Sequence, residues 1–323
     1  MQIIGANMSE YKNNKLNNYF MKPTQMNNKL FLYPISIYDY EEFSKLANKF
    51  IVLDIKSLNN LAYQNYEQEC KKQGIRPRRK NFKKSKFDNL YDYIINDIIE
   101  NIKFNDSIRN VYDHYNSLTN EEKEIIKNTD KDIELKKIIS VFENKNNLIN
   151  LYNDFIKFIK FVTKADNVII TYDKKIKIKI NKDIYFLDKD NFYEFRDIVM
   201  KQNLLHEPLI MGNSISQKAI DEDLEYRMGD SENDIEAMVA YVSLHSNKDI
   251  NNYTYYRLRA DFNMLMTEKS YDSGIIYNAN GCKTKKNKSI PIPNILNHLS
   301  IHDNPYKDMF HKMDYTIDKM ISK

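Results

Sequence analysis

Between Phe87 and Ile102 the apolar residues Phe87, Leu90, Tyr91, Ile94, Ile95, Ile98, Ile99 and Ile102 recur at spacings of three and four. An α-helix turns once in about 3.6 residues, so this spacing gathers the apolar side chains into one stripe, and that stripe must be buried against other elements. A strand, with its period of two, would scatter them over both faces. The same signature returns between positions 133 and 164, through Ile138, Ile139, Phe142, Leu148, Tyr152, Phe155, Ile156 and Ile159. Thr119 followed by Glu122 has the spacing of a capping box. Residues 87–164 therefore read as a helical layer.

Scarcity narrows the remainder. Six glycines and seven prolines in 323 residues disfavour glycine-rich phosphate loops and turn-dense all-β folds. With 42% hydrophobic and 29% charged residues, the chain has enough apolar material to offset the entropy of folding. No uncharged apolar run approaches the roughly 20 residues that span a bilayer, and the first 25 residues lack the apolar core of a secretory signal. Neither export nor a membrane partner is expected. Cys70 and Cys282 stand far apart with no companion cysteine, which indicates neither a disulfide framework nor a zinc knuckle and makes a reducing cytoplasm the simplest compartment.

Three regions emerge along the chain. Residues 1–27 are polar and Asn-rich without a sustained period and read as a mobile arm. Residues 28–164 form a helical region that begins with KLFLYPISI, where Pro34 suits an edge strand or an extended lead-in to the helix YDYEEFSKLANKF. A second helix from Asp54 to Lys72 follows, broken by Gly74 and Pro77. In residues 165–323, the short runs VIITYD, KIKIKIN and IYFLD read as an antiparallel hairpin or meander with the Ile residues of KIKIKIN facing inward. A helix then starts near Asp190 or Asn191, with Phe192, Phe195, Ile198 and Val199 on one face. After an extended, exposed connection over 206–231, with Pro208, Gly212 and Gly229 around a helical stretch, come helices near Glu232 to Ser246 and Tyr253 to Tyr271, a cap for the second at Asn251 or Asn252, and a last helix near the C-terminus. The second turns Tyr256, Leu258, Phe262, Leu265 and Met266 inward. The fold class is α+β, predominantly helical, with a small central antiparallel hairpin or meander.

The sharpest local shift in composition lies between Lys71 and Lys86, where nine residues are basic and none is acidic. Arg76, Arg78, Arg79, Lys80, Lys83 and Lys84 are its candidate binding residues. Arg78 and Arg79 suit two-pronged contacts to phosphate and Phe82 suits stacking. A net charge of only +4 does not advertise nucleic-acid binding over the whole surface. A solvated loop is the plainest reading of this run, and an acidic protein partner ranks ahead of nucleic acid.

Other candidates carry less. His298 and His302 stand one helical turn apart with Asp303 and His311 nearby. Leu299 occupies the place of the Glu in an HExxH pair and Pro305 interrupts the helix, so ordinary surface histidines are the better reading. The carboxylates Asp221, Glu222, Asp223 and Glu225, and again Asp230, Glu232 and Asp234, lack an accompanying Lys, His or Gly-rich motif and read as a solvated connector. Neither cysteine has a histidine nearby in sequence. No catalytic residue, metal or cofactor is expected.

From Asn191 to His298, four pieces occur in order: FRDIVMKQNLL, DIEAMVAYVSLHS, NNYTYYRLRADFNMLMTEKSYDSGIIYNANG and IPIPNILNHL. This succession of a helix ending in a Gln-Asn pair, an acidic connector, two helices, a Gly turn and a terminal segment with His resembles the tail assembly chaperones of large bacteriophages of Gram-positive hosts. The resemblance covers about a third of the chain. It departs from the family pattern at Leu299, where a Trp is expected after His298; this chain has no Trp.

The resemblance implies a non-enzymatic factor of tail or baseplate assembly in the host cytoplasm. Its partner would be the tape measure protein or another tail protein, and a homo-oligomer is compatible. A structural component retained in the virion tail is the nearest rival. Tyr253, Tyr255 and Tyr256 are then candidate contact residues, because tyrosine offers a large contact area with a polar tip. Burial statistics favour the same three as core.

Overall fold

The computed structural model describes residues 16–119, 150–228, 235–246, 249–284 and 287–293. A two-strand hairpin, β1 Thr24–Gln25 and β2 Phe31–Leu32, precedes α1 Tyr40–Ala47, which runs into a π-helical turn, Asn48–Val52. Next come α2 Ile55–Lys72 and α3 Leu90–Ser117, then α4 Leu151–Thr163. The strands β3 Asn167–Ile170, β4 Ile176–Ile180 and β5 Asp183–Leu187 form an antiparallel meander in that order. The helices α5 Phe192–Gln202, α6 Ser214–Met228, α7 Ile235–His245 and α8 Tyr255–Ala279 follow. The α+β class with a small antiparallel meander is what the sequence predicts.

Local chemistry accounts for the element ends. The Asp54 carboxylate accepts the Ser57 N–H at 2.7 Å and caps α2, and the Asn150 side chain accepts the Asn153 N–H at 3.1 Å to cap α4. Lys164 closes α4 in the left-handed conformation, φ 56°. For α8 the cap is Thr254, whose side chain accepts the Arg257 N–H, and neither Asn251 nor Asn252. In β4 the alternation holds as expected: Ile176 and Ile178 are fully buried and Lys179 is exposed. Glu122 of the capping box, residues 133–149 and the helix expected near the C-terminus lie outside the described residues.

One apolar core joins elements from both sides of position 164. Its hub is Phe158 of α4, fully buried, with ring centroids 6.0 Å from Phe43, 6.0 Å from Phe50 and 6.1 Å from Phe195. Leu90, Tyr91, Ile94, Ile95 and Ile98 turn the α3 stripe into the same core. The Tyr91 hydroxyl reaches the Leu187 and Lys174 carbonyls at 3.0 and 2.6 Å, which ties α3 to the meander.

One expectation needs correction and one gains detail. Residues 16–27 are part of the packed structure: Tyr19 donates to the Asp261 carboxylate at 2.9 Å, Met26 is buried, and β1 pairs with β2. Individual polar contacts hold this stretch, which is why it shows no period. The segment 30–37 is the expected extended lead-in, with β2 at the edge of a two-strand sheet, and it is buried. Leu30, Leu32 and Ile35 are fully buried, and its backbone is taken up by distant groups: Tyr33 N–H donates to Val162 O, Ile35 N–H to the Asn203 side chain and Ile37 N–H to Tyr253 O.

The Gln-Asn pair that ends α5 supplies this clamp. Gln202 donates to Thr24 Oγ1 at 2.9 Å and to the Leu32 carbonyl at 3.1 Å. Asn203 accepts from Ile35 N–H at 3.0 Å, donates to Val199 O at 2.8 Å, and offers its own carbonyl to the Tyr40 hydroxyl. Both side chains are about 1% exposed, so each bond replaces water that is absent.

Candidate interaction surfaces

The first half of α8 is core. Tyr255, Tyr256, Leu258 and Ala260 are buried, Tyr253 precedes them at 2% exposure, and Tyr255 stacks on Tyr40 with centroids 3.7 Å apart. The Tyr253 hydroxyl donates to Asp261 Oδ2 at 2.8 Å; burial, this hydrogen bond and the charge of Asp261 push its pKa up to about 12. Burial likewise raises Tyr255 and Tyr40. Tyr253, Tyr255 and Tyr256 are thus corrected from contact residues to packing residues, because Asp261 satisfies the one hydroxyl and neighbouring rings cover the others. Met266, expected inward, is 41% exposed.

Beyond Phe262 the helix changes character. Tyr241 of α7 meets Phe262 edge-on at 5.4 Å and carries the Lys269 ammonium over its ring at 4.7 Å. From Ser270 to Ala279 most residues are exposed, and α8 runs eight residues past the end expected at Tyr271. Met264, Met266, Ile275, Ile276 and Tyr277 are all exposed. Met264 and Ile275 are eleven residues apart, close to three turns, as are Met266 and Tyr277. The two pairs therefore mark opposite faces of a projecting helix.

The chain returns along this projection. Asn278 donates to the Ile290 carbonyl and accepts the Ile290 N–H, both at 2.9 Å, so one amide side chain grips an extended backbone. Ile292 lies over Gly274, where a Cβ would come within 3.2 Å of Ile292 Cγ1. Gly274 is the small residue that lets the return segment approach.

Comparison of the chain with protein-family models, with curated proteins and with solved structures found no match.

A second surface is built on α2. Arg79–Asn81 forms a 3₁₀ turn, and the chain beyond it is held where Asn59 Oδ1 accepts the Ser85 N–H at 2.9 Å. Phe82 packs edge-on to Tyr63 at 5.2 Å. The Arg79 guanidinium sits over the Tyr63 ring at 5.3 Å and reaches the connector at Gly212, where a Cβ would stand 2.5 Å from Nη2. Rings and amides on α2 hold this segment, while its basic side chains stay exposed, as the solvated-loop reading has it. Between it and α2 lies a cleft of about 730 Å³, with Ile55, Tyr63, Phe82 and Phe87 inside and Lys56, Arg79, Lys80 and Lys84 around them. Arg76, Arg78 and Lys83 are exposed outside its lining.

The connector is also anchored: 206–214 is half-buried where exposure is expected, Ile215, Lys218, Asp221 and Glu222 are exposed, and the helical stretch expected within it is α6. Asn60 donates to Ile210 O, Gln64 to Met211 O and Lys71 to Ser214 Oγ, while Glu67 accepts the Ser214 N–H.

Among the described residues no group of three or more His, Cys, Asp and Glu is placed to hold a metal ion, and no helix is long and apolar enough to cross a membrane. His298, His302, Asp303, His311 and the cluster Asp230, Glu232 and Asp234 lie outside those residues. Cys70 is buried and Cys282 exposed, both free. Sequence reasoning missed Tyr63 and Phe87 as cleft residues and Ile275 to Tyr277 as an exposed surface. The run GIIYN, apolar on three consecutive positions, was the available signal for the latter, because no single helix face can bury three neighbours.

Proposed function

We propose that this protein is a non-enzymatic assembly factor of a bacteriophage tail or baseplate, a chaperone that holds the tape measure protein or another tail protein in the host cytoplasm. The observation that carries the reading is the projecting half of α8, with Met264 and Ile275 on one face and Met266 and Tyr277 on the other, all exposed. Large apolar groups displayed on both sides of a helix suit partner helices packing from two directions, in the manner of helix-in-groove recognition. The ordered motifs from Asn191 to His298 support the same reading through their resemblance to tail assembly chaperones.

The test is a pull-down of the tagged protein from phage-infected lysate after nuclease treatment, read by mass spectrometry. A long helical tail protein is expected with the unaltered chain and is lost from the double variant Ile276→Asp with Tyr277→Asp, whose melting temperature is unchanged. Retention of that partner by the double variant sinks the α8 assignment. Abundant copies in purified particles would make the protein a structural tail component instead.

A further inference from the structure

The run from Lys71 to Lys86 supplies nine cations and no carboxylate, and among the described residues none of Arg76 to Lys84 enters an ion pair. Folding holds these charges on one side of α2 beside rings that are recessed in the cleft. Cations also stand over the rings: Arg79 over Tyr63 at 5.3 Å and Lys86 over Phe87 at 5.1 Å.

We propose that this cleft binds single-stranded nucleic acid, with Lys80, Lys83 and Lys84 on the phosphates and a base entering beside Phe82 and the Arg79 guanidinium. Unpaired cations gain most from a ligand with a regular row of charges, since each phosphate neutralised releases condensed counterions. Rings and guanidinium planes accept the flat faces of bases with little regard to sequence. A folded acidic protein would need an apolar anchor at the centre of its contact. Between Lys71 and Asp88 the one large apolar side chain on the outer surface is Ile75, so such a partner would meet only the charged rim. Asp88, the single carboxylate in the lining, repels phosphate and directs the strand toward the Lys80 and Lys84 side. The inference is independent of the α8 reading.

The test uses the full chain with labelled dT20 and rU20. Binding is expected with a log–log salt slope of about −2 to −4, and Lys80→Glu with Lys83→Glu and Lys84→Glu weakens it by about tenfold or more. These side chains are exposed and unpaired, so the triple variant keeps its melting temperature. The chain contains no Trp, so Phe82→Trp gives a single indole whose emission is quenched by dT20 and not by poly-L-glutamate. Absence of binding at low salt, affinity unmoved by the triple reversal, or an indole untouched by saturating dT20 overturns the proposal. Equal quenching by poly-L-glutamate overturns it too and assigns the cleft to an acidic peptide.

Discussion

Arg196 Nη2 lies 3.0 Å from Glu207 Oε2, and this pair joins α5 and the connector to the π-helical turn and the start of α2, which lie far earlier in the sequence. The same guanidinium donates from Nε to the Ile51 carbonyl at 2.6 Å and from Nη2 to the Val52 carbonyl at 3.0 Å, at the end of the π-helical turn. Glu207 Oε1 accepts the Asp54 N–H and the Ser57 hydroxyl at the start of α2. The two side chains together fix how α2, the platform of the cleft, leaves the core.

Arg196→Met removes three charge-assisted bonds and takes the countercharge from the Glu207 carboxylate, which is 29% exposed. The expected loss is roughly 2–4 kcal/mol, because a part-buried charge left alone costs more than the pair contributes. Chemical denaturation checks this. Glu207→Gln keeps the acceptor and is expected to lose less, about 1–2 kcal/mol. A loss from Arg196→Met no greater than that from an exposed lysine would contradict the account.

Asn203→Leu is close in size but leaves the Ile35 N–H and the Val199 carbonyl without the side chain that serves them. A cost of roughly 2–4 kcal/mol is expected in thermal unfolding. Hydrogen exchange at Ile35 N–H should quicken in this variant while Tyr33 N–H, bound to Val162 O, stays protected.

Acid destabilises the protein in two windows. Burial holds the His206 pKa below its ordinary 6.5. The unfolded chain then binds more protons than the folded one near pH 6, so this contribution is present above 6.5 and fades as pH falls through the folded value. Asp54 is partly buried, which opposes ionisation, but the bonds to its carboxylate at the α2 cap outweigh that and hold its pKa below 3.8. Its contribution is full above 3.8 and is lost at lower pH. Stability measured between pH 7 and 5 falls in the parent, and His206→Gln flattens that fall. An unchanged slope in the variant would remove His206 from the explanation.

Much of the fold is legible in the residues because its signals are local. The α3 stripe, the Asp54 cap and the alternation in β4 each depend on neighbours within a few positions, where the helical or pleated period fixes which side chains share a face. The clamp made by Gln202 and Asn203 is visible in the sequence only as a pair of polar letters. Its meaning comes from Thr24, Leu32 and Ile35, more than 160 positions away. The candidate surfaces divide the same way. The basic run announces itself by composition, whereas the rings of Tyr63 and Phe87 join it only once α2 lies alongside.

The sequence by itself determined most of the helices and the three meander strands, the predominantly helical α+β class, and the concentration of unopposed positive charge between Lys71 and Lys86. Tertiary structure decided that Tyr253, Tyr255 and Tyr256 face the core while Ile275, Ile276 and Tyr277 face outward, although both trios lie on or beside one helix. It also decided which cations rim a cleft. The physical reason is that propensity and period act along the chain, whereas burial depends on which distant elements arrive to cover a face.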